Sequence, residues 1–171
     1  MKTKHFSPQA LTWLSKILGE RYGHDCHIDY RGNTLQLRIG KVQVSFDSLL
    51  EEFHGNNDIA HSCWQANKEN FIGIIDNNLP MPGILKITGS IFEFDGDSCK
   101  IHYDILGLVY GALTRQEEIG AKELDSHGRF AAKSSHAYRH NYLGRPVVDA
   151  WLYILGQVIV KLDPSLKLNH H

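Results

Sequence analysis

Arg115, Glu117, Glu118, Asp125, His127, Arg129, Arg145 and Asp149 all come from one stretch, Asp104 to Asp149, and are the residue types from which a charged site is built. Three arrangements suit them. Arginine forks match carboxylates bidentately, and buried charges survive only when paired, so the set can form an ion-pair network that pins a long loop across two helices. The same arginines can grip acidic or hydroxylated groups of a glycan, or dock a following domain. As a small hydrolase, the set would use Glu118 or Asp125 as general base and His127 as acid, because burial tunes both residue types toward neutral pH. His136 and His140 stand four apart, a spacing that on a helix puts two imidazoles on one metal. No carboxylate motif nearby completes that set, so a hydrogen-bonded loop is the reading favoured there.

Periodicity supplies the helices and loop that carry these residues. Asp104 can cap a helix of about fifteen residues whose stripe is Ile105, Leu108, Val109, Ala112 and Leu113, with Arg115, Glu117 and Glu118 in its last turn. Carboxylates there oppose the helix dipole and call for compensating cations. A polar loop, Gly120 to Asn141, leads to Arg145-Pro146, which opens a last helix rich in Val, Ile, Leu and Trp, stopped by Asp163-Pro164. Asp149 falls in its first turn.

Upstream, Ser7-Pro8 starts a core helix carrying Leu11, Leu14, Ile17 and Leu18, ended by Gly19 or Gly23. From Cys26 the period becomes two, with turns at Arg31-Gly32-Asn33 and Gly40-Lys41, which predicts a three-stranded antiparallel meander through Phe46. Asp47 to Phe53 reads as a short capped helix, His61 to Asn70 as an irregular crossing, Phe71 to Ile75 as a short strand, and Asn77 to Gly83 as a loop marked by its prolines. Trp64 reads as a core anchor, with a stacking platform for a sugar ring as the sharper alternative. Residues 84–94 suggest one or two strands and Lys100 to Tyr103 another; Asp95-Gly96-Asp97 is a hairpin turn, lacking the further oxygen ligands of a calcium loop.

With 171 residues and 42% hydrophobic content, the chain is long enough for one core, and a single domain is expected. A formal charge of -1 offers no global field for nucleic acid or an anionic membrane. Cys26, Cys63 and Cys99 are odd in number and in no C-x-x-C spacing, which argues for buried thiols in a reducing compartment rather than disulfides or a zinc knot. No window reaches the roughly 18 apolar residues of a membrane span, so a cytoplasmic chain is expected.

Asp104-Ile-Leu with the apolar helix after it, Arg115-x-Glu117-Glu118, Asp125-x-His127-Gly128-Arg129-Phe130, Ser134 and Leu143-x-Arg145-Pro146-x-x-Asp149-x-Trp151 come in fixed order. This series resembles the uncharacterised domain found ahead of the catalytic domain in a group of bacterial polysaccharide deacetylase-like proteins. Leu79-Pro80-x-Pro82 stands where that family tends to have a Leu-Pro-Val-Pro-like stretch, and Gln116 stands where it usually shows an aromatic. The resemblance implies a non-catalytic N-terminal accessory module in surface-polysaccharide metabolism. Its partners would be a C-terminal deacetylase-like domain and a glycan. That later domain would carry the divalent metal and its ligands, with no cofactor in this part. A stand-alone glycan- or ligand-binding protein is the alternative. The fold expected is α+β: an antiparallel sheet of about five or six strands covered by three helices.

Overall fold

A computed structural model of the chain describes residues 6–47, 61–71, 78–82, 89–114, 126–127 and 147–169. Helix α1 spans Pro8–Tyr22. The Ser7 hydroxyl accepts from the Ala10 amide, and Gly23, at φ 73°, closes the helix in the left-handed conformation that glycine adopts without penalty. Strands β1 (Cys26–Arg31), β2 (Thr34–Ile39) and β3 (Val42–Phe46) come next as the expected antiparallel meander, with Leu35, Leu37, Ile39, Val42, Val44 and Phe46 on its buried face. Both of its turns carry a glycine in the left-handed region, Gly32 and Gly40.

Beyond Asp47 the chain adds β4 (His61–Gln65), a short 3-10 turn (Ala66–Glu69), β5 (Asn78–Pro82), β6 (Phe92–Asp95) and β7 (Ser98–Ile101). Helix α2 (Ile105–Leu113) and helix α3 (Val147–Leu162) complete the described elements. The main sheet has the order β1-β2-β3-β7-β6, and β4 pairs with β5 in a second sheet. The architecture is α+β, as the periodicities imply. One junction departs from an all-antiparallel sheet: β7 runs parallel to β3, with Val44 opposite Cys99 and Phe46 opposite Ile101. That pairing joins segments more than fifty residues apart, so no local turn signal announces it.

Helix α3 lies between the two sheets, touching β3 and β7 on one side and β5 on another, with α2 packed along it. Trp151, Leu152, Ile154, Leu155, Val158 and Ile159 are buried in a core shared with Leu14 and Leu18 of α1 and Ile105, Leu106 and Val109 of α2. Helix α1 also covers the outer edge of β1: the Ile28 amide, which has no strand partner on that side, donates to the Ser15 hydroxyl at 3.1 Å. Sheet edges left bare invite pairing with another chain, and here a helix side chain closes one.

Several expectations are corrected. Asn78–Pro82 is a strand rather than a loop, and His61–Gln65 is its partner rather than an irregular crossing. In an antiparallel ladder a residue's N–H and C=O point to the same edge, so Pro80 and Pro82, two apart, both turn away from β4 and their missing N–H groups cost the ladder nothing. Helix α2 ends at Leu113 with Thr114 as its cap, short of the expected fifteen residues, and Ala112 and Leu113 are exposed. It therefore closes before Arg115. Asp104 does cap it, accepting the Gly107 amide at 2.8 Å. The carboxylate sits where a Cβ on residue 107 would be, so only glycine fits that position. Cys63 is exposed rather than buried, though none of the three cysteines is in a disulfide. The readings of Asp47 to Phe53 as a helix and Phe71 to Ile75 as a strand fall on segments that lie, save Asp47 and Phe71, outside the described residues.

Candidate functional site

Of the charged set singled out in the sequence, His127 and Asp149 lie within the described residues; Arg115, Glu117, Glu118, Asp125, Arg129 and Arg145 lie outside them, as do His136 and His140. His127 is exposed in a turn. Asp149 occupies the first turn of α3, where a carboxylate suits the helix dipole. Its partner is Arg21 of α1, with Nη1 2.9 Å from Oδ1 and Nη2 donating to the Asp149 carbonyl at 3.4 Å. No motif spacing pointed to that pair, because the two residues are 128 apart in the chain.

Arg21 also borders a groove of about 600 Å³, in the size range of small-molecule sites. Three segments and Asn70, at the end of the 3-10 turn, make it. The last turn of α1 supplies Arg21 and Tyr22; one face of α3 supplies Tyr153, Gly156, Gln157, Val160 and Lys161; and the C-terminal tail supplies Leu166 to Asn169. The α3 residues recur at three- and four-residue intervals, so a single helix face is enough to present them. Tyr22 fixes the helix crossing: it is buried, its hydroxyl donates to the Leu152 carbonyl at 2.7 Å, and burial raises its pKa so that it stays protonated. Gly156 allows this approach, since a Cβ there would lie 3.3 Å from the Tyr22 ring and 3.6 Å from Leu168.

The tail is folded back by specific bonds. Asp163 accepts from the Ser165 amide at 3.1 Å and its hydroxyl at 2.6 Å, and these hydrogen bonds, the hydroxyl's foremost, hold the Asp163 carboxyl below the usual carboxylate range. The Asn169 amide donates to the Tyr22 carbonyl at 3.0 Å, and His24 Nε2 lies 2.6 Å from the Lys167 carbonyl. Asn169 rests directly on Gly23, where any side chain would meet it.

The groove's contents are aromatic, amide and cationic. Tyr153 is exposed on α3. Lys161 is held with its Nζ 4.1 Å from the Phe71 ring centroid, a cation–π contact. Asn70, at φ 63°, is the one described non-glycine residue with positive φ. None of the described lining residues is acidic. The outward face of α3, with Tyr153, Gln157 and Lys161 at helical spacing, is the signal that could have drawn attention to this surface.

Other chemistry-bearing groups are less organised. His102 stands between two carboxylates, with Nε2 3.1 Å from Glu93 and Nδ1 3.5 Å from Asp47, on a partly exposed strand end. Burial pushes the Cys26 thiol up to about 11 and the Cys99 thiol up to about 12, so neither is a thiolate at neutral pH. Among the described residues no group of three or more His, Cys, Asp or Glu is arranged to hold a metal ion. No described helix is long and apolar enough to cross a membrane.

Trp64 is not a platform for a sugar ring. It is 2% exposed, lies 5.3 Å from Trp151 between ring centroids, and donates its indole N–H to Glu69. The anchor reading holds instead. Leu79-Pro80-x-Pro82 and Trp151 also meet: Trp151 Nε1 donates to the Pro80 carbonyl at 2.9 Å, and Tyr103, next to Asp104, donates through its hydroxyl to the Pro82 carbonyl at 2.7 Å. The Tyr103 and Trp151 rings are 4.8 Å apart. These are the two proline carbonyls turned away from β4, so the outer edge of β5 is closed by Trp151 of the motif and by Tyr103 beside it.

No curated protein and no solved structure matches the chain. A family model described as a family of unknown function, DUF7033, matches residues 5–164. That match takes in α1 through α3 and nearly the whole of the core, and the chain belongs to this family.

Proposed function

We propose that this chain is a non-catalytic, cytoplasmic accessory module of a polysaccharide deacetylase-like protein, positioning a following catalytic domain or its glycan. In this reading the hydrolase activity and any divalent metal belong to that later domain. The observation that supports it is the role of the motif residues. Pro80, Pro82, Asp104 and Trp151 are buried, and each makes a bond that holds one element to another or starts a helix. A catalytic motif would instead turn its polar groups into an open cleft. The ordered series thus does the work of a scaffold as far as its described residues go.

The coding sequence downstream of His171 tests this reading first. A carboxylate-rich T-x-D-D-like stretch followed by a pair of metal-binding histidines is expected, and a stop codon at that point counts against it. The 171-residue chain alone should release no acetate from acetylated oligosaccharides; turnover by this chain that is lost in Glu118→Gln or His127→Ala would replace the accessory reading with the small-hydrolase one.

A further inference from the structure

We infer that the outer edge of β6 is a docking site for an extended, basic segment of a partner protein, which adds to the main sheet as a further strand. The register fixes which backbone groups that edge presents. One pair beyond the β6–β7 ladder the His102 amide donates to the Ile91 carbonyl, so Ile91, Glu93 and Asp95 turn their backbone groups toward β7, while Phe92 and Phe94 turn theirs outward. At Phe92 the chain closes the edge itself: the Ser90 hydroxyl accepts from the Phe92 amide at 3.2 Å and lies 3.1 Å from its carbonyl. Ser15 does the same for Ile28, and Trp151 and Tyr103 for Pro80 and Pro82. The Phe94 amide and carbonyl have no partner among the described residues, which leaves an open rung of the kind that accepts another strand.

The side chains around the open rung set the chemistry of what fits. The Phe94 ring stacks on Phe92 with centroids 6.4 Å apart and has Lys161 Nζ 5.9 Å away, yet it stays 48% exposed. A strand laid beside it would cover the ring with the apolar side chain directly opposite. Glu93 and Asp95, on the other face of β6, are exposed, and exposed Asp97 follows in the turn. Lys100 is the only cation between Phe92 and Ile101, against these three carboxylates. Glu93 is engaged by His102 at 3.1 Å, but its side chain remains 68% exposed. The Asp95 and Asp97 carboxylates have no partner among the described residues. A second copy of the chain does not suit this edge: two β6 strands paired antiparallel about Phe94 would set each Glu93 opposite an Asp95, and like charges directly opposite are destabilising. The occupant is instead a strand with lysine or arginine opposite those carboxylates and an apolar residue opposite Phe94, alternating as the pleat requires. The inference goes beyond the accessory-module reading and does not rest on it.

Amide NMR of the 171-residue chain, titrated with short peptides blocked at both ends, is the test. The first peptide alternates lysine with valine, the second alternates glutamate with valine, and the third is the lysine peptide with its central valine replaced by proline, which keeps the charge and removes an N–H. The Phe94 amide should exchange freely in the chain alone and at least about tenfold more slowly with the lysine peptide at millimolar concentration. Shift changes should centre on Glu93 to Asp95, and the glutamate and proline peptides should each bind at least about tenfold more weakly. Asp95→Lys, at an exposed position, should weaken the lysine peptide about fivefold or more while leaving the melting temperature within about 2 °C. A Phe94 amide already protected in the chain alone overturns the inference, as does one left unprotected by the lysine peptide. Equal binding of the proline peptide overturns it too, since the attraction would then be one of charge without strand addition, and so does lysine-peptide binding that Asp95→Lys leaves unchanged. None of these outcomes depends on the coding sequence downstream of His171, so failure here and failure of the accessory reading are told apart.

Discussion

The two sides of α3 contrast. Toward β5, the side-chain donors have found acceptors within the chain: the Trp151 indole on Pro80, the Tyr103 hydroxyl on Pro82, the Trp64 indole on Glu69. Glu69 in turn accepts from Ser90 and from the Ile91 amide, tying the 3-10 turn to the entry of β6. Toward the groove, the same helix presents Tyr153, Gln157 and Lys161 beside Arg21 and Lys167, and charge and aromatic surface face solvent. One side is built to be finished by the fold. The other keeps charge and aromatic surface at the solvent boundary, with Arg21 engaged by Asp149 and Lys161 by Phe71. Pro80, Pro82, Asp104 and Trp151, the most recognisable described residues of the ordered motif, all serve the closed side, and a ligand site therefore need not coincide with the residues that stand out first.

Substitutions on the closed side should weigh most. Trp151→Ala removes a fully buried ring packed on Trp64 and Tyr103 and leaves the Pro80 carbonyl without its donor; a loss of about 3–5 kcal/mol in urea unfolding is expected, and a loss below about 1 kcal/mol would break the contrast. Tyr103→Phe keeps the ring and removes the bond to Pro82, so about 1–3 kcal/mol should be lost by the same measurement.

Acidification gives a smaller effect with a defined sign. Because Ser165 holds the folded Asp163 carboxyl below its unfolded value, this contribution is present above the unfolded pKa of about 3.9 and is lost as pH falls through the lower, folded value. Ser165→Ala should therefore lower stability at pH 7 and leave it nearly unchanged at the acid end, as seen in paired thermal melts; an equal loss at both ends would contradict the assignment. Arg21→Gln should change stability least, by less than about 1 kcal/mol, since the pair it breaks is exposed on the Asp149 side. A larger loss would move Arg21 from the open side to the closed one.

Much of the frame was legible in the residues. Ser7-Pro8 and Asp104 were readable as caps because capping depends on a side-chain oxygen and neighbouring amides, and the meander because its glycine turns and alternation are local. The second sheet was hidden for a physical reason. Prolines at 80 and 82 read as loop punctuation, yet in a two-stranded sheet they occupy the edge that needs no N–H, and their partners Trp151 and Tyr103 are non-local. The groove was hidden likewise: Arg21 meets Asp149, and Asn169 meets Tyr22, only after the helices have packed. Of the charged set between Arg115 and Asp149, the spacing located Asp149 in its first turn but pointed to no partner in α1.

Hydrogen exchange at the tryptophan indoles tests the closed side most directly. The chain has three tryptophans, so three indole N–H signals report, with Trp13 partly exposed on α1 as the internal reference. The Trp151 indole proton should exchange only through global unfolding, far more slowly than that of Trp13. Exchange of the Trp151 proton at the pace of Trp13 would mean that β5 is not clasped to α3, and the contrast between the helix's two sides would fall with it.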